Sequence, residues 1–271
     1  MQHNNIFYKI WAIFKPFIMY YFCYTAVFIL LLSLCRFAAY RMGSVYQARL
    51  INNSETVTGL VSGLSMVIAV LPLIPMLRGE LAEHRRSVQD KTAHSLNGAP
   101  ALCLTVVLAV SASLGLNSLL TLTGLVEASA GYRDVARQQY GVVFAAGMVL
   151  YGLIAPVTEE IVFRGLVFNR LRRYCPPMTA VFLSGILFGL YHGNLVQGLY
   201  GGCMGILMAY LYERMHSFLI PCLFHATANL MVYTAAQSGE LQGWIFTVPG
   251  CIFLLAAAAG CVIFTEKIWN R

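Results

Sequence analysis

Glu159 and Glu160 are adjacent carboxylates with Arg164 four residues on, inside the apolar stretch Thr158-Glu159-Glu160-Ile161-Val162-Phe163-Arg164-Gly165. Charge in a bilayer is expensive, so an intramembrane ionisable cluster marks a functional site by default. Two further pairs at helical spacing follow in apolar runs, Phe188 with His192 and His225 with Asn229. Carboxylate, imidazole and carboxamide together suit hydrolysis: a general base for water and hydrogen-bond donors for a developing oxyanion.

Residues four apart on a helix share a face, so Glu160 and Arg164 can form an ion pair that lowers the cost of burying both. Glu159 is rotated by about 100° from Glu160 and lacks that local counter-charge. Adjacent positions thus receive different tasks, Glu159 for chemistry and Glu160 for structure. The competing reading ends a helix at the membrane interface with this pair. Pro156 and Thr158 before it, and the apolar residues 161–163 and 165–168 after it, weigh against that. A single histidine near a span end, as His192 is, can also be interfacial, and His225 with Asn229 can be a polar contact between helices.

These side chains need long apolar helices to carry them. The chain has 271 residues, 59% hydrophobic and 11% charged, with mean hydropathy +0.69; soluble domains carry about 25% charged residues. The apolar content falls in blocks of about 20 residues, the length of a membrane-spanning helix, rather than in the ~10-residue alternating segments of a membrane barrel. The expected class is an all-α polytopic transmembrane bundle of about eight spans, near 16–35, 57–77, 100–124, 140–163, 178–194, 196–213, 217–236 and 244–265.

Pro72 and Pro75 should kink the second span. Trp11, Trp244 and Trp269 fall near span ends, as interfacial anchors do. Gly198, Gly201, Gly202 and Gly205 form overlapping small-residue pairs that allow close helix approach. The fifth and sixth spans are too near in sequence for a loop, and a tight break within the membrane is expected near Asn194.

The basic residues lie at the ends of apolar runs. Lys9, Lys15, Arg78, Arg85, Arg86, Lys91, Arg164, Arg170, Arg172, Arg173, Arg214, Lys267 and Arg271 fall on one side, against Arg36, Arg41, Arg49, Arg133 and Arg137 on the other. The positive-inside rule puts the first side, with both termini, in the cytoplasm. The net charge of +7 is therefore read as topology, and no nucleic-acid partner is expected. The eight cysteines include no CxxC pair and read as small buried hydrophobes. The first apolar run is expected to be an uncleaved anchor.

Depth along the helices supports convergence. If the chain turns near residues 174–177, Glu159 and His192 each lie roughly 21–22 Å from that turn. His225 lies only roughly 12 Å in and Asn229 roughly 18 Å. The organisation expected is 1–135 as N-terminal helices (about three spans) with a cytoplasmic loop at 78–99, 136–236 as the catalytic core, and 237–271 as a C-terminal helix.

In this order and on these spans, Glu159-Glu160…Arg164, Phe188…His192 and His225…Asn229 resemble the CAAX protease and bacteriocin-processing (CPBP, Abi) family of intramembrane endopeptidases. The resemblance covers about residues 150–232. It implies a glutamate-type peptidase in which Glu159 and His192 activate water, His225 and Asn229 form an oxyanion hole, and Glu160, Arg164 and Phe188 support them. No cofactor is implied. The side chains leave a zinc reading open, since Glu and His are zinc ligands, though no HExxH occurs. A serine at Ser184 lacks its GxSxG elbow, and Cys222 is the one thiol close to His225 in sequence.

The expected activity is hydrolysis of leader, bacteriocin or pheromone-type peptides, or of CAAX-type prenylated C-termini, at or near the cytoplasmic face. The expected partners are a peptide or lipidated protein and the bilayer, in a bacterial cell membrane rather than the endoplasmic reticulum. The alternatives are a non-proteolytic immunity or scaffold protein and a small transporter.

Overall fold

Capping residues, glycines and prolines divide the apolar runs into helices, and the computed structural model describes residues 5–88, 98–238 and 243–269. Helix α1 (Ile6–Met42) starts where the Asn5 side chain accepts from the Phe7 amide, and ends at Gly43 (φ 101). Short α2 (Ser44–Asn52) follows. Then come α3 (Ser54–Ser87) and α4 (Ala99–Leu122), short α5 (Leu125–Ala128) and α6 (Ala130–Tyr140). The site lies on α7 (Phe144–Leu171), α8 (Pro177–Tyr191), α9 (Leu195–Met215) and α10 (Leu219–Gln237), and α11 (Val248–Trp269) closes the chain. No strand occurs among the described residues.

The protein is an all-α, multi-pass integral membrane bundle. Among the described residues, seven helices are long and apolar enough to cross a membrane. The fifth expected span, 178–194, corresponds to α8, whose 15 residues reach roughly 22 Å and fall short of a ~30 Å hydrocarbon core. The fourth expected span, 140–163, is shifted. Its helix runs on to Leu171, so Glu159 and Glu160 lie well inside it rather than at its end. The kink expected at Pro72 and Pro75 is a single 3-10 turn, Leu71–Leu73, within an otherwise continuous α3.

One end of the bundle is tied by ion pairs. Arg170 Nε meets Glu80 Oε1 at 2.8 Å and Arg173 Nη2 meets Glu80 Oε2 at 2.6 Å, with Glu83 also on Arg173. Arg172 holds both oxygens of Glu213 at 2.8 and 3.0 Å, the bidentate geometry that guanidinium favours. Pro16 has no N–H for the Ala12 carbonyl four residues back, and Arg170 Nη1 donates to that freed oxygen at 2.5 Å. These contacts correct the expected 78–99 loop. The helix continues through its first part and supplies Glu80 and Glu83, while residues 89–97 lie outside the described residues.

The first and last helices also reach this basic end. The Lys9 ammonium stands 5.6 Å from the Tyr174 ring centroid, and Arg214 Nη2 meets Glu266 Oε1 at 2.6 Å.

The glycines act where α8 and α9 cross. A Cβ on Gly189 would lie 2.4 Å from the Gly198 carbonyl oxygen and 2.9 Å from Gly202 Cα. One on Gly205 would lie 3.0 Å from Gly185 Cα. Small residues therefore set the backbone approach, as the spacing suggested. The expected intramembrane break falls at Gly193 (φ 72), after which the Asn194 side chain caps α9 by accepting from the Gln197 amide at 3.0 Å.

Candidate active site

Pro156 cannot donate within α7, and the helix around it is not regular. It winds as π-helix over Leu150–Ile154 and again over Ile161–Phe168, enclosing the α-helical turn Ala155–Glu160. The Ala155 amide reaches back five residues to the Leu150 carbonyl. Such wide turns recur at functional sites because they re-aim side chains without ending the helix.

Glu160 and Arg164 are both fully buried, with Nη1 to Oε1 at 2.8 Å. Arg164 Nη2 donates to the Gly205 carbonyl of α9 at 2.8 Å. Its guanidinium carbon stands 4.7 Å from the Phe188 ring centroid. One arginine thus ties α7, α8 and α9 together around a charge that burial would otherwise make costly.

His225 of α10 completes the group. Its Nδ1 donates to Glu160 Oε1 at 2.9 Å, and its Nε2 is 3.8 Å from Glu159 Oε2. Glu159 thus lacks the Arg164 counter-charge of its neighbour, as expected, and has the His225 ring from another helix beside it. The arrangement also brings His225 to the carboxylates, although counting residues from the helix ends put it shallower. Formal charges on the two carboxylates, Arg164 and a protonated His225 sum to zero.

His192 caps the C-terminus of α8, and its Nδ1 lies 2.9 Å from the Phe188 carbonyl. A carbonyl only accepts, so Nδ1 is the donor, and in that tautomer the lone pair lies on Nε2. Gly201 leaves space for this ring: a Cβ there would sit 3.3 Å from Nδ1. The Phe188 ring meets His192 edge to face at 4.9 Å and His225 at 5.5 Å. One aromatic side chain therefore fixes both imidazoles and the arginine.

Glu159, Phe188, His192, His225 and Asn229 line one cavity of about 210 Å³, enough for several waters at ~30 Å³ each. Glu160 and Arg164 sit behind its wall. The imidazole within ion-pair distance of Glu159 is His225, whereas the family resemblance paired Glu159 with His192. Among the described residues, no group of three or more His, Cys, Asp or Glu side chains is disposed to hold a metal ion.

The cavity runs from the carboxylates towards the end of the bundle opposite the basic one. Its outer wall includes Asn117 near the end of α4, Tyr132, Gln139 and Tyr140 of α6, and Gln197 and Tyr200 of α9. Burial pushes the Tyr132 and Tyr140 phenols above their ordinary value, so both are neutral hydroxyls. Towards the basic end, Val162, Leu166, Phe168, Ala209, Leu211 and Tyr212 are all 0% exposed and close the bundle.

Sequence reasoning missed α6. Its signal was present: Ser129 is an N-cap residue, and Tyr132, Ala136, Gln139 and Tyr140 follow at the spacing of one helix face.

Residues 141–231 match the Rce1-like family model, described as Type II CAAX prenyl endopeptidase Rce1-like. A curated relative, "Putative membrane peptidase YdiL" of Bacillus subtilis (strain 168), is 29% identical over 105 residues. That stretch is 35% of this chain and 43% of the relative, so the match spans less than half of its length. No solved structure matches the chain.

Proposed function

We propose, for a chain that belongs through residues 141–231 to the CAAX protease family, that it is an intramembrane endopeptidase using a water activated by Glu159 and His192. The observation that carries this reading is the cavity: Glu159, His192, His225 and Asn229 line it together, with the Glu160–Arg164 pair buried behind them.

The step follows from the side chains. A peptide carbonyl enters beside Glu159, and a water lies between that carboxylate and the free Nε2 of His192. The water oxygen adds to the carbonyl carbon as its proton passes to Glu159 or His192. Asn229, and His225 through Nε2–H when protonated, donate to the oxyanion. The C–N bond then breaks as the stored proton moves to the departing amine, leaving a carboxyl and an amino terminus. Glu160 accepts from His225 Nδ1, which orients that ring in the way second partners orient catalytic histidines.

The proposed substrates are leader, bacteriocin or pheromone-type peptides, with prenylated C-termini as the competing class. The proposed location is a bacterial cell membrane, which the bacterial relative supports. The test is cleavage of fluorogenic leader-type and prenylated CAAX peptides by purified wild type and Glu159→Gln, with and without a chelator. Cleavage lost in the variant and insensitive to chelator is the expected result. Cleavage abolished by chelator would move the chemistry to a zinc-bound water. A fully active Glu159→Gln would remove that residue from the mechanism.

A further inference from the structure

Helix α1 lies outside residues 141–231, which the family model matches, yet it sends a phenol to the back of the site. Tyr20 is 1% exposed, and its hydroxyl oxygen is buried. That hydroxyl is grouped with the Thr158 and Tyr191 hydroxyls, and the Glu159 carboxylate lies beside them. None of Tyr20, Thr158 and Tyr191 lines the cavity, so the group stands behind Glu159 rather than on the side that substrate occupies. Aromatic packing fixes its place. Phe17, on the same face of α1 as Tyr20, meets the Phe163 ring of α7 at 5.9 Å and the Tyr191 ring of α8 edge to face at 6.0 Å. Tyr24, one turn further on, stacks on Tyr20 at 6.1 Å, with its hydroxyl 3.0 Å from Ser62 Oγ of α3. Helix α1 is thereby held in register against three other helices.

Position in the chain gives this group its meaning. Thr158 immediately precedes Glu159, and Tyr191 immediately precedes His192, whose ring it meets at 5.5 Å. Thr158 Oγ1 donates to the Ile154 carbonyl at 2.8 Å or the Ala155 carbonyl at 3.1 Å, which leaves its lone pairs to accept from a phenol. The turn that carries Glu159 lies between two π-wound stretches, where the backbone hydrogen-bond pattern changes twice. A side-chain bond from another helix fixes the rotation of such a turn. We propose that Tyr20 is a positioning residue, whose hydroxyl joins Thr158 to Tyr191 and so holds Glu159 and His192 at the separation that a shared water requires. The proposal rests on the peptidase reading for what Glu159 and His192 do, and on the hydroxyl group alone for what holds them. The family-matched core is then incomplete without α1.

The test is a double-mutant cycle on Tyr20→Phe and Thr158→Val, with Tyr212→Phe as the control. Each substitution nearly keeps the shape of the side chain and removes a hydroxyl. Tyr212 is likewise buried, and its hydroxyl accepts from Asn169 Nδ2 at 3.2 Å, away from the cavity lining. In detergent, each single variant should melt roughly 2–4 °C below wild type, the loss of about one hydrogen bond. The double variant should melt about as low as the worse single, because both remove the same bond. Losses that add would show the two hydroxyls to be uncoupled and overturn the proposal. This readout needs no substrate, so it can fail while the peptidase reading stands.

The positioning role is read on a peptide that the wild type cleaves. Tyr20→Phe should lower kcat on the order of 10-fold with KM little changed, within the ~10²-fold that a 1 Å misplacement costs. Tyr212→Phe should keep wild-type kcat at a similar melting loss, and Thr158→Ser, which keeps a hydroxyl, should retain the turnover that Thr158→Val loses. Wild-type kcat in Tyr20→Phe, or an equal fall in Tyr212→Phe, would overturn the role given to Tyr20.

Discussion

Replacing Arg164 with methionine should destabilise the whole bundle rather than only the site. The substitution keeps most of the side-chain volume but removes the 2.8 Å pair with Glu160 and the 2.8 Å bond to the Gly205 carbonyl. Glu160 would remain buried, with His225 Nδ1 as its remaining partner at 2.9 Å. Breaking one side of a buried pair costs about 3–5 kcal/mol, and the orphaned Gly205 carbonyl adds about 1–3 kcal/mol. The two overlap, so about 4 kcal/mol is expected in total. At about 2–4 °C per kcal/mol, the midpoint of thermal unfolding should fall by roughly 8–16 °C. The eight free cysteines allow a readout in detergent with a thiol-reactive dye. The double variant Glu160→Gln with Arg164→Met removes the stranded charge and should recover part of the loss. An Arg164→Met melting point within about 2 °C of wild type, or a double variant as unstable as the two single losses added, would refute the role given to this pair.

Gly189→Ala forces a Cβ to 2.4 Å from the Gly198 carbonyl, which rigid backbone cannot yield. It should cost about 1–3 kcal/mol and displace His192, lowering kcat; Gly260→Ala, with nothing within 4 Å, is the matched control in the same unfolding assay. Asn229→Ala should lower kcat by about 10²–10³ with little change in melting point, as loss of one oxyanion donor does. Steady-state cleavage compared with unfolding separates that role from a packing one.

The three motifs and the helical class were legible because their signals are local. A four-residue spacing survives on any helix, and the Glu160–Arg164 pair formed as the spacing implied. What sequence could not show was set by distant packing. The double π-winding around Pro156 has no simple periodic signature. The meeting of His225 with Glu160 depends on how α10 is offset against α7, which counting residues from helix ends misjudged. Helix 130–140 carried its own signal in the Ser129 cap and the one-face spacing, but its polarity kept it from standing out among the apolar spans. Residues 78–88 read as loop for the same reason, their acids being matched by arginines some 90 residues away.

The most direct measurement is the turnover of Glu159→Gln on a peptide that the wild type cleaves, with binding of the same peptide followed separately by fluorescence anisotropy. The variant keeps the shape of the cavity wall and removes the carboxylate base. The account predicts a fall in kcat of about 10²–10⁴ with peptide binding retained. Wild-type turnover by Glu159→Gln would contradict it.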